Sequence, residues 1–164
     1  MNIFVLDSCP IKSAQENCDK HIVKMCVELF QQLGSAVIRH GATPEEMPLT
    51  AKGTPLKGGH PNHPCTRWCG ETRSNFRWAS LHALSLCREY TSRYGKVHSC
   101  EKGIAHLSLM DEYIPDGELT PHAQAMPDEY KNADPVTAYR NYYLHEKKEF
   151  AKWKLGNVPI WWTP

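Results

Sequence analysis

The feature that most constrains the fold is residues 13–39, a proline-free stretch whose apolar side chains recur at the spacing of a helix. Ser13 and Glu16 match the capping box, in which both side chains satisfy backbone amides at a helix start. Gly41 follows the stretch, and glycine commonly ends helices because it tolerates the left-handed conformation. The sequence therefore predicts one continuous first helix over this stretch.

Further helices are predicted on either side of long loops. Proline and glycine are too dense between Ala42 and His63 for a long regular element. The short apolar run Ile3–Leu6 predicts a buried N-terminal segment. Three later segments have helical spacing: Thr66–Tyr94, closed by Gly95; Lys102–Met110; and Pro135–Lys154, capped by Asp134. We therefore expect an all-α fold, a compact single domain over residues 1–164 with three or four helices and long loops.

Composition limits the surroundings and the partners. The net charge is +1, so the whole molecule is not drawn strongly to a polyanion, and any nucleic-acid binding must come from a local patch. The seven cysteines are odd in number and lie mostly at apolar positions, which is typical of free thiols in a reducing compartment. The N-terminus meets Asp7 before a signal-peptide core could form, and no apolar stretch approaches the roughly 20 residues that cross a bilayer. We expect a cytoplasmic protein with no membrane contact.

Polar side chains gather on one side of the first helix when its residues are placed 100° apart. They are His21, Lys24, Glu28, Gln31 and Gln32, with Met25 among them. The opposite side, which we expect to enter the core, carries Val23, Cys26, Val27, Phe30, Leu33 and Val37. An imidazole, an amine, a carboxylate and two amides are suited to hydrogen-bonding a ligand, and a carboxylate among them to proton transfer. The alternative is an ordinary solvated face.

The run from Asp19 to Leu29, in which Asp-x-His is followed seven residues later by Glu-Leu, resembles the first helix of pyrimidine-dimer DNA glycosylases of the endonuclease V type. Three further segments resemble that family in the same order: Asn62-His63-Pro64, Leu119–Ala123 with its His122, and the aromatic-rich Thr137–Tyr143. The resemblance covers most of the chain. It implies a domain similar to endonuclease V that bends double-stranded DNA, flips a nucleotide and breaks the bond between base and sugar, with no cofactor.

The resemblance also implies roles for single residues. Glu28 matches the family's catalytic carboxylate, and His21 would orient the phosphate or the sugar. The family's nucleophile is an N-terminal amine on a small residue that methionine removal exposes. Here Asn2 is bulky enough for Met1 to remain, so the candidates are the Met1 amine, the Lys24 amine one turn from Glu28, or a water molecule.

Two positions depart from the family pattern. Val27 and Gln31 stand where the family has arginines flanking the catalytic glutamate. The resemblance therefore does not by itself imply recognition of pyrimidine dimers.

Other residues are candidates for substrate binding because amides and histidines hydrogen-bond ligands, and basic residues interleaved with aromatic ones hold phosphates and stack bases. The full set is Asn2, Gln31, Gln32, His63, Arg67, Arg73, His122, Tyr139, Tyr142 and Tyr143. The lysines from Lys147 to Lys154 better fit a solvated helix face. Cys65-x3-Cys69 near His60 and His63 lacks the second pair of a zinc site, so free core thiols are favoured and no metal is expected.

The leading hypothesis is an enzyme acting on DNA bases, most simply a DNA glycosylase, with lyase activity if an imine forms. One alternative keeps the scaffold but makes it a viral, phage-type transferase that modifies DNA bases. Another is a non-catalytic DNA-binding or inhibitor protein, which we expect if Glu28 is fully solvated. No obligatory protein partner is indicated.

Overall fold

The computed structural model describes all 164 residues and contains six α-helices and no β-strand. The helices are α1 (Pro10–Glu16), α2 (Asp19–Arg39), α3 (Pro64–Cys69), α4 (Arg73–Tyr94), α5 (Glu101–Ser108) and α6 (Pro135–Glu146). Short 3-10 turns occur at Pro44–Glu46, Asp111–Tyr113 and Asp128–Tyr130. The all-α prediction is confirmed, whereas the predicted number of three or four helices is wrong because two of the predicted helices are each divided in two.

The predicted first helix is broken at Asn17 and Cys18, whose backbones are extended. The capping box at Ser13 does not form, since this residue lies inside α1 and is fully buried. Its hydroxyl instead donates to the carbonyl of Phe4 and accepts from the amide of Leu6, at 3.1 and 3.0 Å. The residue that looked like a helix start thus fastens the N-terminal segment, which is buried as predicted.

The predicted second helix is divided at Gly70–Thr72, and Thr72 caps α4 by accepting from the amide of Asn75. As predicted, α4 ends at Gly95, which adopts the left-handed conformation with φ 70°. The last helix has the predicted cap at Asp134 but ends at Glu146 rather than Lys154. It ends early because the following chain turns toward the start of α2, where the Lys152 carbonyl accepts from the amide of Asp19 at 2.9 Å.

One buried arginine joins α4 to the break between α1 and α2. The side chain of Arg93 is fully buried and donates to the carbonyls of Gln15 and Asn17, at 2.8 and 2.9 Å. It also forms ion pairs with Asp19 at 3.1 Å and with Glu89 at 3.4 Å. A cation at the C-terminal end of α1 satisfies carbonyls that the short helix leaves free. The bend that positions α2 is therefore fixed from α4.

We expect the protein to lose stability in mild acid because two of its histidines are buried. Burial lowers the pKa of His21 to about 3 and that of His82 to about 4. In the unfolded chain both pKa values are near 6.5, so between about pH 4 and 6.5 the unfolded state binds more protons and stability falls as the pH falls. Each histidine contributes a loss of about 2 kcal/mol at pH 5 relative to pH 7.

We expect thermal melts to show a Tm at least about 8 °C lower at pH 5 than at pH 7, at about 2–4 °C per kcal/mol for a chain of this size. The matched variant is His82→Phe, which keeps an aromatic ring against Trp78 but removes the titrating group. Its Tm should depend less steeply on pH, whatever its absolute stability. A wild-type Tm that does not change between these pH values would contradict the prediction.

Candidate active site

A pocket of about 480 Å³ lies where the N-terminal segment, α2 and the end of α6 meet. It brings together seven of the residues selected from the sequence: Met1, Asn2, His21, Lys24, Glu28, His63 and Tyr142. They come from four separate parts of the chain, so the pocket exists only in the folded protein. Its volume is in the range of small-molecule sites, about 300–1,000 Å³.

The carboxylate of Glu28 is buried between two amines. Its Oε2 accepts from the backbone amide of Asn2 at 2.9 Å and lies 3.8 Å from the α-amine of Met1. Its Oε1 lies 3.2 Å from the Nζ of Lys24, whose side chain is 63% exposed. A neutral donor and two cations thus surround the carboxylate, which is the arrangement that compensates a buried negative charge.

The side chain of Asn2 fixes the N-terminus beside this carboxylate. Its Nδ2 donates to the carbonyl of Ala125 at 2.8 Å, and its Oδ1 accepts from the hydroxyl of Tyr139 at 2.8 Å. The side-chain amide of Gln32 reaches the Asn2 carbonyl at 3.4 Å. Asn2, Tyr139 and Gln32 are buried, and through these hydrogen bonds they position the α-amine of Met1 beside Glu28.

His21 enters the pocket as a neutral imidazole. Its ring stacks on Phe4 with centroids 4.3 Å apart, and its Nδ1 hydrogen-bonds to the hydroxyl of Tyr143. Burial, and then the positive charges of Lys147, Lys24 and Lys20, lower the pKa of His21 to about 3. At neutral pH this side chain can therefore exchange hydrogen bonds with a sugar or phosphate but does not supply a positive charge.

Positive charge comes instead from three lysines that line the pocket, Lys20, Lys24 and Lys147. The Nζ of Lys147 lies 4.4 Å from the ring centroid of Tyr142, and the Nζ of Lys20 lies 4.5 Å from that of Phe150. With the α-amine of Met1 they set four cations against a single carboxylate, in a molecule whose net charge is only +1. This is the kind of local basic patch that nucleic-acid binding requires.

Comparison with known proteins identifies the family. Residues 1–102, more than half of the chain, match the family described as pyrimidine dimer DNA glycosylase. The chain belongs to this family. Its membership supports a DNA glycosylase type of function, with DNA as the substrate. No curated protein and no solved structure matches the chain.

The family match contains one side of the pocket but not the other. Met1, His21, Lys24 and Glu28 all lie within residues 1–102. The wall formed by α6 and the turn that follows it lies beyond the matched range. The segments at 119–123 and 137–143, which resemble the glycosylases in order, are likewise outside the match.

None of the helices is both long enough and apolar enough to span a membrane.

The polar side of α2 is not a solvated face in this glycosylase-family protein. His21, Glu28 and Gln32 are buried, because the N-terminal segment covers them. Val23 and Val27, which were expected in the core, are each 41% exposed. The side of α2 that faces the core is therefore rotated about the helix axis relative to the predicted side. The candidate residues lie along the edge of this core-facing side.

Several candidate residues of the sequence analysis lie outside the pocket. Arg67 is exposed, and Gln31 is half-buried beside Gly59. Arg73 donates to the carbonyl of Asp111 at 3.2 Å and thereby holds the chain after α5. His122 packs between Trp68 and Trp78, with ring centroids 4.3 and 4.4 Å away. Tyr139 and Tyr143 are fully buried and act as supports for Asn2 and His21.

Six pocket residues were not selected from the sequence: Phe4, Lys20, Met25, Ala125, Lys147 and Phe150. Phe4 was interpreted only as part of a buried apolar run. Lys147 follows an aromatic-rich helix and was assigned to a solvated face, because the early end of α6 was not predicted. The interleaving of lysines with aromatic residues was the one available signal.

Proposed function

We propose that this protein is a DNA glycosylase that takes a flipped nucleotide of double-stranded DNA into the pocket and cleaves its base from the sugar. The observation that carries the proposal is the buried carboxylate of Glu28 between two amines, at the base of a basic pocket. The lysines around the opening would hold the phosphates on either side of the flipped nucleotide. Tyr142 and Phe150 offer aromatic surfaces against which a base or sugar can pack.

The Glu28 carboxylate has a role as the bond between base and sugar breaks. Positive charge then develops on the sugar ring, and a nearby carboxylate stabilises it. A neutral amine that attacks C1′ forms a carbon–nitrogen bond as the bond from C1′ to the base breaks, and the first of its two protons passes through the site to the departing base. The second proton passes to the ring oxygen as the bond between C1′ and that oxygen breaks, which gives an imine, from which the strand can be cleaved by elimination.

We assign the attacking amine to Met1 rather than to Lys24. The segment that carries the Met1 amine is held by the buried hydrogen bonds of Asn2, whereas the Lys24 side chain is largely exposed. A held nucleophile loses less freedom on reaching the transition state.

Borohydride trapping on damaged duplexes tests both the activity and the amine. Duplexes carrying a pyrimidine dimer, or one of a panel of modified bases, should release the base, and borohydride should fix a covalent adduct on the peptide containing Met1. Lys24→Gln should keep the adduct. Residues added ahead of Met1 should abolish it, because they displace the amine from Glu28.

The outcomes separate the alternatives. Base release with an adduct on Lys24 would overturn the assignment to Met1, and base release without any adduct would indicate a water nucleophile. A modified base with an intact bond to the sugar would indicate a base-modifying transferase. DNA binding with no reaction on any duplex would leave a non-catalytic protein, an outcome that the burial of Glu28 argues against.

A further inference from the structure

A second cluster of reactive side chains lies in the core, away from the pocket. Cys26 on α2, Cys87 on α4 and His98 in the turn before α5 are all buried. Their two sulfur atoms and one ring nitrogen lie within 4.8 Å of one another. Cys26 and Glu28 point in directions that differ by about 200° around the helix axis, so the cluster takes no part in the proposed chemistry.

The hydrogen bonds of His98 fix its ring and its tautomer. Its Nε2 is 3.2 Å from the carbonyl of Val23, which can only accept, so this nitrogen carries the proton. Its Nδ1 accepts from the backbone amide of Cys100 at 3.1 Å, so this nitrogen holds the ring's one lone pair, and a metal that binds there replaces the hydrogen bond to that amide. Metal-bound histidines typically donate their other ring N–H to a carbonyl in this way, which fixes the ring and the tautomer.

A third thiol is available beside the cluster. Cys100 is half-buried and follows His98 by two residues. Its thiol is not among the ligand atoms that lie within 4.8 Å of one another, so its side chain must turn toward the cluster to bind an ion there. Three sulfurs and one imidazole are a recognised set of ligands for tetrahedral structural zinc.

The chemistry of the ligands selects the metal. Thiolates and imidazole favour zinc and similar ions over Mg²⁺ and Ca²⁺, which require oxygen ligands. The three residues with ligand atoms in mutual reach include no carboxylate. We propose that Cys26, Cys87 and His98 bind one Zn²⁺ ion, with Cys100 as the fourth ligand.

Binding would deprotonate the three thiols and release three protons to solvent for each ion. The bound ion would tie α2, α4 and the turn before α5 together. Its role is therefore structural, and the inference does not depend on the proposed glycosylase activity.

The test is the zinc content of protein prepared with zinc under reducing conditions. We expect one zinc per chain in the wild type and its loss in Cys26→Ser and in His98→Asn. Cys9→Ser, which changes a half-buried thiol outside the cluster, should keep the zinc. Removal of zinc by a chelator should lower the Tm by about 5–10 °C, and added zinc should restore it.

A measurement on the wild type keeps the proposal testable if the variants fail to fold. Co²⁺ added to the metal-free wild type should give the intense absorption of a tetrahedral cobalt–thiolate centre. The proposal is overturned if folded wild type binds neither zinc nor cobalt in this form. It is also overturned if Cys65→Ser removes the zinc while Cys26→Ser does not, or if the mass of the zinc-treated protein shows a disulfide between Cys26 and Cys87.

Discussion

Glu28→Gln is expected to slow base release by about 100- to 10,000-fold, the range typical of losing a group that moves protons in the transition state. Glutamine keeps the size of the side chain and an oxygen that can accept from the amide of Asn2. It removes the negative charge that would stabilise the positive sugar and take up a proton from the amine. Single-turnover kinetics on the duplex that the wild type cleaves best would measure the change.

Two controls define this experiment. Glu45→Gln alters an exposed carboxylate outside the pocket and should leave the rate unchanged. DNA affinity of Glu28→Gln should be preserved, because the lysines at the opening remain. A rate within about threefold of the wild type would remove Glu28 from the chemistry and, with it, the basis of the proposed function.

Arg93→Met is expected to destabilise the fold by about 3–5 kcal/mol, the usual cost of removing one partner from a buried ion pair. The substitution leaves the carbonyls of Gln15 and Asn17 without donors and leaves Asp19 without its buried cation. For a chain of this length the Tm should fall by about 6–20 °C. Thermal and denaturant unfolding would both measure the loss.

Arg88→Met provides the matched control, because Arg88 lies on the same helix but is exposed. The same chemical change there should alter the Tm by no more than about 2 °C. Equal stability of the two variants would mean that the buried network contributes little net free energy and that the break between α1 and α2 is maintained by packing alone.

The sequence predicted the helices better than their interruptions. The spacing of apolar residues located the long stretches of α2 and α4, and Asp134 and Gly95 marked two ends correctly. The break at Asn17 was not predictable from local propensity, because it is stabilised by a guanidinium 76 residues away in sequence. The same argument applies to Ser13, whose partners belong to the N-terminal segment.

The candidate site was also only partly predictable, because helical spacing is a local signal whereas the contacts that complete the pocket are long-range. Helical spacing brought His21, Lys24 and Glu28 to one side of α2, and the family resemblance added Met1. Periodicity could not show that the N-terminal segment covers this side, so it assigned Val23 and Val27 to the core. Lys147 lies in the pocket because the chain turns immediately after α6, and no local sequence pattern predicts that turn.

The anchorage of Asn2 sets an order of events during synthesis. Its partners, Ala125 and Tyr139, belong to the last third of the chain and leave the ribosome long after Met1 does. Until they arrive, the amino terminus has no fixed place beside Glu28. A nascent chain therefore carries the Met1 amine and the Glu28 carboxylate without their mutual alignment until synthesis is nearly finished.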